Sequence, residues 1–525
     1  MGISKINFTL GAGNSPGAIT NNDLISGAIF YGTAPGSFAT TSCQAVFSLQ
    51  DAVAKGITNT HLGETVARAI YTVSGTVTVG DTFAIVITEP NPNGITTAVA
   101  IGTATVSTAA TPTGAATDIA AMINAGTYLH GYSATSSVGA VTLIARAGTG
   151  VALNTGTPLA VTVTGTSTGT ITQQFGTGTG GATTGVASKC DVWYYHISEF
   201  FRIQPSGKLW VQILASVDNT ADVKTLQNTA KGECRRVMVF DTTAKTAANV
   251  TTVANQLQAQ CDTLFTNYTP TVVMFAPNIK AISDLSTLNN LQSTATAKSV
   301  YVVISQDGDA TGAQLYVSSG FSVSNIGTIC GTSSIASVSQ DMGEVGAFNI
   351  SDGSENNNPA FTNGTLVSSV ATSLLDTLDS YRYGFCVKYS GYAGTYINND
   401  WTAIVSTSAY NRLSRVLTIY KVEREQYIAL LPLLKSRIYL NADGTMTDTT
   451  LAQYYSAAEP SIEGMVRDGD LSPGNINGTA LTTGVVSISP TQNVTSQGYI
   501  AITYNLLPVG IADNINVTLQ FTQKL

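Results

Sequence analysis

Hydrophobic and polar positions change period along the chain, and each change predicts a different kind of element. In Thr72-Val73-Ser74-Gly75-Thr76-Val77-Thr78-Val79 the two kinds alternate, which predicts a strand with one buried face. Phe83 to Thr88 continues the alternation, and Gly80-Asp81 between them predicts a hairpin turn. Thr117 to Ala125 carries Ile119, Met122 and Ile123 at helical spacing, while Ala140 to Arg146 and Leu159 to Thr164 read as strands. Gly165 to Gly185 reads by composition as a flexible return linker.

A second regime covers about 190–405. Leu209 to Leu214, Arg236 to Phe240, Thr271 to Phe275 and Ser299 to Ile304 are short apolar runs of the buried-strand type. Between them, Asp222 to Ala230, Ala247 to Leu264 and a piece near Ile282 to Leu291 have helical spacing. Strands that alternate with helices imply parallel pairing in an α/β layer. The last part, about 406–525, opens with a predicted helix from Ser408 to Ile438, kinked at Pro432. A turn at Asn441-Ala442-Asp443-Gly444 follows, and then a run through Glu463 to Asp470 into strands. Both ends alternate: Ile6, Phe8 and Leu10 at the amino end; Ile515, Val517, Leu519 and Phe521 at the carboxy end. Each predicts a strand, either at the edge of its own sheet or donated as an arm to a neighbour's sheet.

Composition sharpens this division. Only 11% of the 525 residues are charged, the net charge is −8, and threonine and glycine are abundant. From Tyr71 to Ala187 only Asp81, Glu89, Asp118 and Arg146 carry charge. The expected organisation is therefore an amino-terminal arm (1–20), an α/β core (21–70 plus 190–405), an inserted Thr/Gly-rich β-rich domain (71–187) and a carboxy-terminal domain (406–525). The fold class is α/β (α+β), multidomain. A chain so weakly charged is expected to hide surface in an assembly or to display it outside a cell. No apolar run is long enough to span a membrane, and the amino terminus shows no secretory h-region. The acidic balance argues against a nucleic-acid partner. Six scattered cysteines without a CxxC predict ordinary buried thiols.

Catalytic patterns are weak. Gly13 to Gly17 and Gly165 to Gly169 match GxSxG, but neither sits between a buried strand and a helix. Gly176 to Gly181 matches GxGxxG without a following helix. Asp307-Gly308-Asp309 begins like a calcium loop, yet its twelfth position is Ser318 rather than Glu. His61, His130 and His196 stand in separate segments. The expectation is no enzyme, no metal and no cofactor. One basic stretch differs: Arg412, Arg415, Lys421, Arg424, Lys435 and Arg437 outnumber Glu423 and Glu425. It reads either as a solvated helix face or as a face for an acidic partner.

The order of carboxy-terminal motifs suggests a family. Leu430-Leu431-Pro432-Leu433-Leu434-Lys435-Ser436-Arg437 is followed by Leu440 to Gly444, then Arg467-Asp468-Gly469-Asp470-Leu471-Ser472, then Leu507 to Phe521. This order resembles the carboxy-terminal region of contractile tail sheath proteins of bacteriophages and phage-tail-like contractile injection systems. The Ala115 to Ala125 helix followed by Ala140 to Thr149 is similar to modules of phage tail proteins. The likeness covers about the last 120 residues, with the opening 35 as an extension.

The resemblance implies a structural subunit in an α/β sheath core that polymerises as stacked sixfold rings around an inner tail tube. It implies contraction that drives the tube through a target envelope, in a phage with genome ejection. Partners would be further copies of the chain, the tube protein, and baseplate and tail terminator proteins, with no nucleic acid and no direct membrane insertion. The expected place is the virion tail, or a phage-tail-like particle, assembled in the host cytoplasm. Ile6, Phe8, Leu10, Ile515, Val517, Leu519 and Phe521 would form inter-subunit arms. Arg412, Arg415, Lys421 and Arg424 would face the tube. Two competing readings are a static extracellular adhesive β-rich protein and an α/β hydrolase. The first would need export; the second would need a Ser-His-acid geometry.

Overall fold

A computed structural model describes residues 22–107, 109–177, 184–473, 475–476, 479–480 and 486–517. The core is a seven-stranded sheet in the spatial order Tyr383–Gly384, Val300–Val303, Val272–Asn278, Arg236–Ala244, Ile25–Tyr31, Lys208–Leu214, Cys43–Val46. Neighbours are parallel except the last, where Cys43–Val46 runs antiparallel to Lys208–Leu214. Both faces are covered, so the strands are apolar nearly throughout; Ile25–Tyr31 is buried at every position. Period-two geometry sends its residues to opposite layers. Ala28 and Phe30 join one core with Trp193, Phe200, Ile329 and Leu417. Ile25, Ile29 and Tyr31 join the other with Leu226, Leu257 and Leu264.

Helix Ala247–Thr266 shows why the covering layer forms. Thr246 caps it by accepting from Asn249 N, and Val250, Ala254, Leu257, Cys261 and Leu264 form its buried stripe. Gly27 lets the adjacent helix close on the sheet, since a Cβ there would lie 2.8 Å from a Leu226 methyl. The expected helical piece near 282–291 is two short turns, Leu285–Thr287 and Leu291–Thr294.

Residues 67–175 build a separate core of their own. One sheet has the order Ser133–Ser137, Ala140–Ile144, Arg68–Gly75, Ser167–Gln173; the other has Thr96–Thr105, Thr82–Pro90, Leu159–Thr164. Helix Pro112–Ala125 packs on them through Ala116, Ile119 and Ile123. Two expectations are corrected here. Gly80-Asp81 does not close a hairpin: the strands it joins lie in different sheets. The Asp81 carboxylate accepts from the amides of Thr78 (3.0 Å), Thr166 (3.0 Å) and Ser167 (2.8 Å) and from the Ser167 hydroxyl. These bonds hold its pKa well below the carboxylate range and pin the crossing point. The supposed linker contains strand Ser167–Gln173, which pairs with Arg68–Gly75. Gly169 is needed there, because a Cβ would meet the Tyr71 hydroxyl at 2.0 Å.

The carboxy-terminal region differs most from expectation. The basic helix spans Leu413–Leu430 only, and Pro432 sits in a 3-10 turn, Leu431–Leu433, that ends it. A second helix, Asp448–Arg467, was not expected; only its end, from Glu463, falls in a stretch read as a path into strands. Thr447 caps it, and Tyr454, Ala458, Ile462 and Met465 form its buried stripe. The two helices share a fourth core with Val422, Met446 and Val486. Gln426 fastens them, its Nε2 donating to the Ala458 carbonyl at 2.8 Å.

Candidate assembly surface and the basic helix

The basic helix is anchored inside the subunit at both ends of its charged face. Arg412, at its amino-terminal cap, has a side chain only 2% exposed. Its Nη1 donates to Asp341 (2.6 Å) and Asp400 (2.8 Å), and its Nη2 to Asp513. Burial and the Asp400 charge push the Asp341 carboxyl up to about 7, against the pull of Arg412. Arg415 donates to Asn411 Oδ1 at 3.0 Å.

Two to three turns further along, Arg424 and Lys421 meet Asp23 at 3.1 and 3.4 Å. Lys421 also holds Asp470 at 2.6 Å. Burial, together with neighbouring Arg235 and Arg236, lowers the Arg424 pKa to about 9, so it stays charged at neutral pH. Burial pulls Lys421 down, but Asp470 and Asp23 outweigh it and its pKa is raised. Within the subunit Arg412 is buried and paired with carboxylates rather than exposed as a surface charge. Lys421 and Arg424 are paired within the chain.

Apolar surface lies elsewhere. Ile428 (70% exposed), Leu434 (69%) and Tyr439 surround the end of the helix, and Tyr499, Leu507, Ile515 (85%) and Val517 (72%) follow on the closing segment. Ile515 and Val517 belong to no strand. Ile6, Phe8, Leu10, Leu519 and Phe521 lie outside the described residues. Sequence reasoning marked the alternation at 515–521 but missed the apolar cluster at 427–440. The signal was present in Tyr427-Ile428 and in Leu431, Leu433 and Leu434, which exceed what one helix stripe needs.

The residues weighed for chemistry have structural contacts. Ser167 Oγ donates to Asp81. His196 is fully buried against Phe240 at 4.5 Å, neither ring nitrogen has a partner, and burial pushes its pKa down to about 3. His61 Nδ1 meets Asp191 at 2.7 Å, and His130 Nδ1 accepts from Tyr132 N at 3.1 Å. Asp307 is buried and accepts from the amides of Ala310, Ala313 and Asn356, which orders the start of helix Thr311–Ser318. Gly13 to Gly17 and part of Gly176 to Gly181 lie outside the described residues. Among the described residues no group of three or more His, Cys, Asp or Glu could hold a metal ion. Their six cysteines are free and buried. None of the described helices is long and apolar enough to cross a membrane.

Fold and surface define a multidomain α+β protein with a parallel core sheet, an inserted β-rich domain and an apolar closing segment. The chain belongs to the DUF2586 family, whose N-terminal domain matches residues 5–400. No curated protein matches it. Among solved structures it is similar to a chain of the sheath complex of an extracellular contractile injection system, PVC, in the contracted state. That similarity has a TM-score of 0.42 and 13% identity, and covers 63% of this chain and 80% of the other.

Proposed function

We propose that this chain is the structural subunit of a contractile tail sheath, polymerising as stacked rings around an inner tube. The observation that carries the reading is the apolar surface that residues 428–440 and 499–517 expose among the described residues, at the site of the sheath-like motif order. Burying Ile428, Leu434, Ile515 and Val517, together equivalent to about three fully exposed side chains, against a neighbour would contribute about 4–9 kcal/mol at ~1.5–3 kcal/mol for each fully exposed side chain. That is comparable with the roughly 4–15 kcal/mol that association costs, so a surface of this kind suits a polymer with many such contacts. The arms are the amino-terminal segment 1–20, through Ile6, Phe8 and Leu10, and the terminal strand with Ile515, Val517, Leu519 and Phe521, adding strands to neighbouring subunits. Heterologous contacts that do not close would extend the polymer, and bistable interfaces would release the stroke as rigid-body motion. In this reading Arg415, Lys421 and Arg424 face the tube, and the last two would exchange an internal carboxylate for an external one.

Negative-stain electron microscopy of the purified chain, alone and with a candidate tube protein, tests this. Stacked-ring tubes are the expected result, and deletion of residues 1–11 should leave folded subunits without long tubes. Monomers under every condition, tube protein included, would refute it. The second reading, a static adhesive surface protein, is favoured by Tyr128 (84% exposed), Leu129 and Val138 on the inserted domain. It predicts no ring polymer.

A further inference from the structure

The closing segment of the chain passes over a cavity of about 540 Å³, with Val509 to Asp513 on one side and Gln340, Glu344 and Tyr389 on the other. Arg412 lies beside this cavity. Of the three carboxylates on its guanidinium, Asp341 and Asp400 belong to the core, and Asp513 arrives with the tail. The guanidinium also lies 4.1 Å over the Trp401 ring, on which Arg382 stacks at 4.2 Å. Trp401 is itself held by Asp379, which accepts from its Nε1 at 3.3 Å. These contacts to Asp341, Asp400 and Trp401 hold Arg412 without any help from the tail.

Among the described residues, the tail around Asp513 has few other polar contacts. Residues 512–517 are exposed, and the main chain is tied back at Leu507, whose carbonyl accepts from Ser472 N. Removal of Asp513 leaves Arg412 with two carboxylates, so the departing tail uncovers no unpaired buried charge. A seat with these properties can be emptied and refilled at small cost.

We propose that Arg412 is a carboxylate seat for the tail segment 505–517, filled in cis in the free subunit and by the same segment of a second copy in an assembly. The occupant is argued from the seat itself: the tail already fits it, and exchange of an identical segment between copies is a low-cost route to association. Tethering gives the cis tail a high effective concentration, so the free subunit caps itself. The charge pairing sets the register of the incoming tail. This inference rests on the arm reading above and adds the cis-capped state and the residue that decides it.

The test uses the full chain carrying Asp513→Asn, which leaves Arg412, Asp341 and Asp400 untouched, and a fluorescent peptide of residues 505–517. Anisotropy should show the peptide binding this chain at least about tenfold more tightly than a peptide with the same Asp→Asn change, because a charge-assisted pair is lost. The wild-type chain should bind the peptide more weakly than the variant, since its own tail competes. No binding to the variant, equal affinity for both peptides, or equal binding by both chains would overturn the proposal. Ring formation is scored separately by imaging. A chain that binds peptide without forming rings refutes the sheath reading alone, and rings without peptide binding refute the seat alone.

Discussion

Replacing Asp23 with Ala should loosen the junction between the core sheet and the basic helix. Asp23 directly precedes the central strand region and reaches Arg424 at 3.1 Å, with the two side chains 18% and 11% exposed. Lys421 keeps Asp470 at 2.6 Å, so the loss falls on Arg424, beside Arg235 and Arg236. A fully buried pair that loses one partner costs about 3–5 kcal/mol, and an exposed pair ~0–1 kcal/mol. The intermediate exposure places this one at about 2–3 kcal/mol. A single unfolding free energy is poorly defined for a chain with several cores, so the readout should be local. Hydrogen exchange of the amides in Leu413–Leu430 should speed up roughly 30- to 150-fold, at 1.4 kcal/mol per factor of ten. Arg424→Ala in the same background should restore part of the loss, with a coupling of about 1–2 kcal/mol. Additive effects of the two changes, or helix exchange altered less than about threefold, would show that water screens the pair and that the junction rests on packing alone.

The inserted domain should be removable. Thr65 and Val186 bridge to each other through bonds of 3.0 and 2.8 Å, so replacing residues 67–184 with Gly-Ser should leave exchange protection of Ile25–Tyr31 intact. Loss of that protection would mean the contacts from Val151 to Ser318 and from Asn93 to Gly308 are required. Asp341 should impose a pH slope. Its pKa is raised from 3.8 to about 7, so the folded state holds a proton that the unfolded chain releases. The stabilisation is complete below about pH 4 and is lost as pH rises through 7. Between pH 5 and 8 the melting temperature of the wild type should fall more than that of Asp341→Asn. Asp307 carries the same sign, so the difference between the two proteins is the measurement, and equal slopes would refute the assignment.

The core strands were legible because a strand buried on both faces must be apolar nearly throughout, as Val237 to Phe240 and Val272 to Phe275 are. Helix Ala247–Thr266 was legible from one apolar stripe. Helix Asp448–Arg467 went unread although Thr447 and the spacing of Tyr454, Ala458, Ile462 and Met465 announce it, even with Pro460 inside it. Strand Ser167–Gln173 was hidden by a composition that also suits linkers. What turns it into a strand is the open edge of Arg68–Gly75, a partner about 100 residues earlier.

By itself the sequence determined the change from alternating to helical periods, the position of the low-charge segment and the apolar alternation at both ends. These are local properties, written in side-chain spacing and charge. Tertiary structure alone decided that Gly80-Asp81 crosses between two sheets, that the charge of Arg412 is neutralised inside the subunit, and that Asp513 reaches it from 101 residues away. Each of these depends on which distant carboxylate or strand edge comes into reach. Spacing along the chain carries no record of that, because a charge looks the same in sequence whether water or a buried partner neutralises it.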